Sequence, residues 1–138
     1  HTILYNSEDV AARVRDITGG AGVPVSYDSI GQATVQASLD SLKPAGSFIS
    51  FGNASGPIVD FNPGILAMKG SLYMQRPTLA TYTRNRGLLN AAAGDLFDVV
   101  ASGAVSINIG QTYPLAETVQ AHKDLEGRNT TGSTVLIP

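Results

Sequence analysis

The spacing of apolar and polar residues changes several times along this chain, and each change predicts an element. Residues 2–5, Thr-Ile-Leu-Tyr, form a β-prone run ended by Asn6 and Ser7. Ser7 suits a helix N-cap, with Glu8 and Asp9 in the first turn, where the helix end is positive. Val10, Val14 and Ile17 then recur at helical spacing until Gly19 and Gly20 stop them. Val23, Val25 and Tyr27 alternate as a strand closing at Asp28 and Ser29. A second helix after Gly31 carries Val35, Leu39 and Leu42, and the turn at residues 43–46 leads into a strand over 48–51. This strand–helix–strand–helix–strand order with short connections implies parallel strands joined by right-handed crossovers.

The pattern changes after Gly56. Asn62 and Pro63 cap a short helix reaching Lys69, and residues 71–76 read as a strand stopped by Pro77. Residues 78–87 show no apolar period. A long helix over 88–102 sets Leu89, Leu96 and Val100 on one face and stops at Gly103. Val105, Ile107 and Ile109 alternate as a strand, and Pro114 opens a helix carrying Leu115, Val119 and Leu125. After a polar loop at 128–132, residues 134–137 form a last strand. The division falls near Pro77, giving parts 1–77 and 78–138.

Composition narrows the classes. With 138 residues and 43% hydrophobic content, the chain holds enough apolar surface for a folded domain. A net charge of −2 without a basic–aromatic surface argues against nucleic acid and against an anionic membrane. No apolar run approaches the roughly 18 residues of a membrane helix. The absence of cysteine excludes disulfide and thiolate chemistry and speaks against structural zinc. With no secretory signal visible, a cytoplasmic location is expected. Because His1 falls inside what reads as a strand, the chain is expected to be a piece of something longer.

Candidate chemistry gathers around residues 46–56, a strand that breaks at Gly52 into a small, uncharged, glycine-bounded loop. Open parallel sheets bind ligands at such carboxyl edges. The run Gly19-Gly-Ala-Gly22 follows a helix and precedes a strand, the reverse of a dinucleotide fingerprint, so it reads as a C-cap and turn. Asp28 either accepts a ribose hydroxyl or caps the next helix, and the cap is favoured. Arg76 either grips a phosphate or carboxylate or pairs with a surface acid. Tyr5 is a core aromatic or a stacking platform at the sheet edge. Of the two histidines, His1 is terminal and His122 shares a helical face with Val119 and Leu125, a structural position. The Asn53 and Asn129 glycosylation patterns read as chance matches. No nucleophile–base pair and no metal-ligand spacing emerge.

Several segments taken together resemble a family. Residues 17–20 (Ile-Thr-Gly-Gly), 27–31 (Tyr-Asp-Ser-Ile-Gly), 38–42 and 50–56 (Ser-Phe-Gly-Asn-Ala-Ser-Gly) are similar to the quinone oxidoreductases. So are 69–72, Arg76-Pro77 and the closing Gly-Ser-Thr-Val-Leu-Ile-Pro. These belong to the zinc-free, zeta-crystallin-like branch of the medium-chain dehydrogenase/reductases. The resemblance implies an α/β fold: the second half of a Rossmann-type doubly wound parallel sheet, then the C-terminal segments that return to a GroES-like catalytic domain. It implies NADPH as cofactor and a quinone as substrate, with a fragment inactive alone. Tyr5 and Ser29 would lie at the adenosine end, and Phe51, Gly52 and Ser55 at the nicotinamide and its ribose. Arg76 would lie nearby, with Arg128 and Thr130 facing the cleft from the returning segment. The edge strand at 71–76 would pair across a homodimer. An enone or aldehyde reductase of the same family is the nearest alternative, and a non-enzymatic RNA-binding or structural role the more distant one.

Overall fold

The alternating residues after Gly22 build a parallel sheet. In a computed structural model describing residues 1–138, β1 (Val23–Asp28) pairs in parallel with β2 (Leu42–Ser50), which pairs in parallel with β3 (Tyr73–Gln75). The order is β1-β2-β3, so β3 lies at one edge. Helices α1 (Val10–Ile17), α2 (Val35–Asp40), α3 (Gly64–Met68) and α4 (Leu79–Tyr82) complete the first of two units, His1–Tyr82.

Its core is formed by Leu39, Leu42, Phe48 and Leu72, with Val23, Val35, Ile58, Phe61, Ile65 and Leu66 packed around them. Leu42 and Phe48 are buried from the central strand, and from Gly46 to Ser50 buried positions alternate with half-buried ones, so one face of the strand is covered more fully than the other. Burying each such side chain contributes about 1.5–3 kcal/mol. Arg15 ties α1 to this core by donating to the carbonyls of Asp40 (2.9 Å) and Leu42 (2.8 Å). An ion pair from Lys69 to Asp40 holds the end of α3 against α2.

Four local expectations are corrected. Residues 2–5 form no strand: the Leu4 carbonyl accepts from the amides of Ser7 (2.9 Å) and Glu8 (2.8 Å), so the backbone closes a turn instead of a ladder. The cap of α1 is Asp9 and not Ser7, because Asp9 Oδ1 reaches the Ala12 amide at 3.0 Å while the Ser7 hydroxyl turns back to Leu4 O. Leu42 belongs to β2 rather than to the stripe of α2. It pairs with Val23, and a register shift then carries 43–46 out of the ladder before Ser47 meets Val25. In that excursion Ala45 adopts a positive φ of 57° and donates to Gly70 O at 2.8 Å.

The second unit, Thr83–Pro138, contains α5 (Arg86–Ala101), β4 (Ile109–Pro114), α6 (Thr118–Glu126) and β5 (Ser133–Ile137). Here the fourth correction falls. The alternation at Val105 and Ile107 is not strand; the ladder begins at Ile109, where parallel pairing with β5 supplies partners through Pro114 and Ile137. Asn85 caps α5, its Oδ1 accepting from the Leu88 amide at 2.9 Å. Ala121 of α6 is buried, and Tyr113 of β4 donates its hydroxyl to Asp124 at 2.9 Å. Hydrogen bonds from Gln120 and Tyr113 hold the Asp124 carboxyl below its ordinary range, and the same bond raises the Tyr113 phenol. No residue of α5 is buried within the unit.

Candidate functional site

Parallel pairing brings the carboxyl ends of β1 and β2 side by side, with Asp28 opposite Ser50 and the Phe51 amide donating to Asp28 O at 2.8 Å. Two loops leave this edge, residues 29–34 and 51–59. Asp28 organises the first. It is buried, its Oδ1 accepting from the amides of Ile30 (2.8 Å) and Gly31 (2.9 Å) and its Oδ2 from the hydroxyls of Thr34 (2.7 Å) and Ser38 (2.6 Å). Burial alone pushes this carboxyl up. Hydrogen bonds from Ser38, Gly31, Thr34 and Ile30 outweigh it and hold the group below its ordinary value. The carboxylate therefore serves the loop that leads into α2 and does not cap the helix: the N-cap is Thr34, with no side-chain cap bond, and Asp28 takes the loop amides of Ile30 and Gly31 instead.

The second loop docks on the first by backbone contact. The Ala54 amide donates to Ser29 O (3.2 Å), the Ser55 amide to Ile30 O (2.8 Å) and the Gln32 amide to Gly56 O (3.2 Å). Such closeness demands glycine. A β-carbon on Gly52 would stand 2.3 Å from Ser29 O, and one on Gly31 2.5 Å from Gly56 O.

Two hollows open along this edge. One, of about 180 Å³, is lined by Tyr5, Tyr27, Ser29, Ile30, Thr34 and Ser38, among others. The other, of about 240 Å³, is lined by Ser50, Asn53, Pro57, Ile58, Met74 and Arg76. The structure thus brings Tyr5 and Ser29 to the first hollow and Arg76 to the second. Phe51 and Ser55 stand exposed on the loop between, and Gly52 is half-buried beneath them. Arg76 pairs with no carboxylate; its Nη1 donates to the carbonyls of Ser50 (3.0 Å) and Pro77 (3.4 Å), which aims the guanidinium along the ends of β2 and β3. Arg128 and Thr130 belong to the second unit, on the loop after α6, where Arg128 takes a positive φ of 58°. His122, also there, is exposed beside a hollow of about 180 Å³ lined by Ala121, Leu125, Thr134 and Leu136.

Sequence reasoning missed Thr34 and Ser38, two small hydroxyls one helical turn apart downstream of Asp28. Their spacing was the available signal. It missed Tyr27 as a lining residue because alternation alone gives it only a side of the strand.

A parallel sheet with a glycine-bounded loop and two hollows along its carboxyl edge defines a nucleotide-binding type of α/β protein. The family is fixed by comparison: the chain belongs to the zinc-binding dehydrogenase family, whose model matches residues 1–136. A quinone oxidoreductase of Pseudomonas aeruginosa is 50% identical over 137 residues, 99% of this chain and 42% of that protein. A 2-haloacrylate reductase of a Burkholderia species is 45% identical over 141 residues, covering 100% of this chain and 42% of that protein. The structure of Escherichia coli quinone oxidoreductase complexed with NADPH superposes with a TM-score of 0.91 at 46% identity, over 99% of this chain and 42% of that one. The chain therefore spans less than half the length of these relatives. The family's zinc finds no fit here. With no cysteine and two histidines, no group of three His, Cys, Asp or Glu side chains stands close enough to hold a metal.

Proposed function

We propose that this chain forms the cofactor wall of an NADPH-dependent quinone oxidoreductase. The observation that carries the reading is the pair of hollows along one carboxyl edge, joined by a glycine-bounded loop. They suit the two ends of a dinucleotide. The hollow between Tyr5, Tyr27 and Ser29 offers aromatic faces and small hydroxyls, the chemistry that receives an adenosine. The Phe51–Gly52 backbone and Ser55 border the nicotinamide and its ribose, where the glycine lets the main chain approach closely. Arg76 supplies positive charge at the second hollow, and Arg128 and Thr130 join the assignment by family resemblance.

NADPH, when bound, supplies the hydride equivalent that reduces the quinone; this chain's residues hold and orient the ring and keep water from it. No general acid or base is assigned, in keeping with chemistry carried by the cofactor. We further assign residues 1–77 to the cofactor domain and 78–138 to a returning segment of a catalytic domain. The edge strand β3 is assigned to a two-fold homodimer, and the chain by itself to an inactive state. The similarity to a 2-haloacrylate reductase supports a second reading, in which the acceptor is an activated alkene.

The test uses the whole protein, with whatever residues flank this chain. NADPH absorbance is followed as a simple quinone is added, with 2-chloroacrylate and NADH in parallel runs. Rapid NADPH loss with the quinone supports the first reading, and loss with the haloacrylate alone supports the second. Bound but unreacted NADPH in every run contradicts both.

A further inference from the structure

The hydroxyl of Ser55 is committed within the protein. It donates to Ile30 O at 2.8 Å and accepts from the Ala33 amide at 3.0 Å. Gln32 fastens the far side of the same seam, its side-chain Oε1 accepting from the Val59 amide at 3.0 Å and its backbone N–H donating to Gly56 O. Beneath, Asp28 pins Ile30, Gly31 and Thr34 through one carboxylate. Ser29, Ile30 and Thr34 line the hollow assigned to adenosine, while Asn53 and Pro57, on the loop docked against them, line the other. The seam between the two hollows is therefore a continuous set of hydrogen bonds, closed by side chains at only two places, Ser55 and Gln32.

We infer that Ser55 and Gln32 are positioning residues that couple the two ends of the cofactor site, so that loosening the loop beside one hollow loosens binding in the other. The inference rests on the dinucleotide reading above. Ser55 has a proton donor already spent on Ile30 and a single acceptor lone pair to spare, so its main contribution to a bound ribose is to set the position of the loop. Removing the hydroxyl leaves the Ala33 amide and a second contact to Ile30 unmade, and the geometry of residues 30–33 is then held by fewer bonds.

The discriminating probe is 2′,5′-ADP, which carries the adenosine end of the cofactor and lacks the nicotinamide and its ribose, the part assigned to Ser55. In the whole protein, its dissociation constant and that of NADPH are measured for the wild type, Ser55→Ala, Ser55→Thr and Gln32→Ala, with circular dichroism to confirm folding. Ser55 and Gln32 are both exposed, so the variants are expected to fold. Coupling predicts that Ser55→Ala weakens 2′,5′-ADP by about three- to tenfold, the size of one lost hydrogen bond. Ser55→Thr restores most of it, and Gln32→Ala weakens it in the same direction. Unchanged 2′,5′-ADP affinity in both Ser55→Ala and Gln32→Ala, with NADPH weakened or not, overturns the coupling. A wild type that binds neither 2′,5′-ADP nor NADPH removes the dinucleotide reading itself and the inference with it.

Discussion

Asp28 shows how one residue sets local architecture. It is 4% exposed, yet it stays charged because four donors converge on its two oxygens. Its folded value lies below the unfolded one, so the unfolded chain binds the proton more readily. The stabilisation is full above the ordinary carboxylate value of 3.8 and is lost as pH falls through the folded value. Replacing it by Asn keeps the shape and removes the charge, at a cost of about 1–3 kcal/mol at neutral pH. Urea unfolding of wild type and Asp28→Asn between neutral and acid pH is expected to show the gap shrinking below that value; a gap independent of pH contradicts this account. The sequence marked Asp28 as an acid between strand and helix, but the helix cap it suggested is not formed: Thr34 is the N-cap and Asp28 holds the loop before it. The sequence did not disclose the Ser55 bonds to Ile30 and Ala33. Those join residues more than twenty positions apart, which no local period encodes.

At the level of elements, periodicity succeeded where burial enforced it. Val23 and Val35 pack on the core, and both their elements lie close to where the spacing put them. It failed at residues 2–5 and at Val105 and Ile107, whose apolar alternation has no ladder partner; β propensity needs a neighbouring strand to be realised. It missed α4 because four residues carry too little period to read. The strand β3 is three residues long, paired only with β2, and its Tyr73 is 66% exposed. An uncharged edge of this kind leaves unpaired backbone groups that another strand can meet. If β3 pairs across a two-fold axis, light scattering of the whole protein gives a dimer mass and Tyr73→Lys shifts it toward monomer. A monomeric wild type at micromolar concentration refutes the assignment.

At the scale of the whole molecule, the chain is two units, each with its own parallel pairing. Few apolar side chains are buried: Leu39, Leu42, Phe48 and Leu72 in the first unit and Ala121 in the second. Large apolar side chains such as Leu96 and Phe97 of α5 remain exposed. The α/β class and the parallel sheet were legible, because β-branched and aromatic runs mark strands and glycines mark where they stop. Which residues share a hollow was not, since Tyr5 meets Tyr27 and Ser29 only through the fold. The central claim is that the carboxyl edge of β1 and β2 receives NADPH. Hydrogen exchange of the whole protein with and without NADPH tests it most directly. The account predicts slowed exchange concentrated in residues 29–34 and 51–56; protection confined to residues 121–136, around the His122 hollow, or found nowhere in the chain, contradicts it.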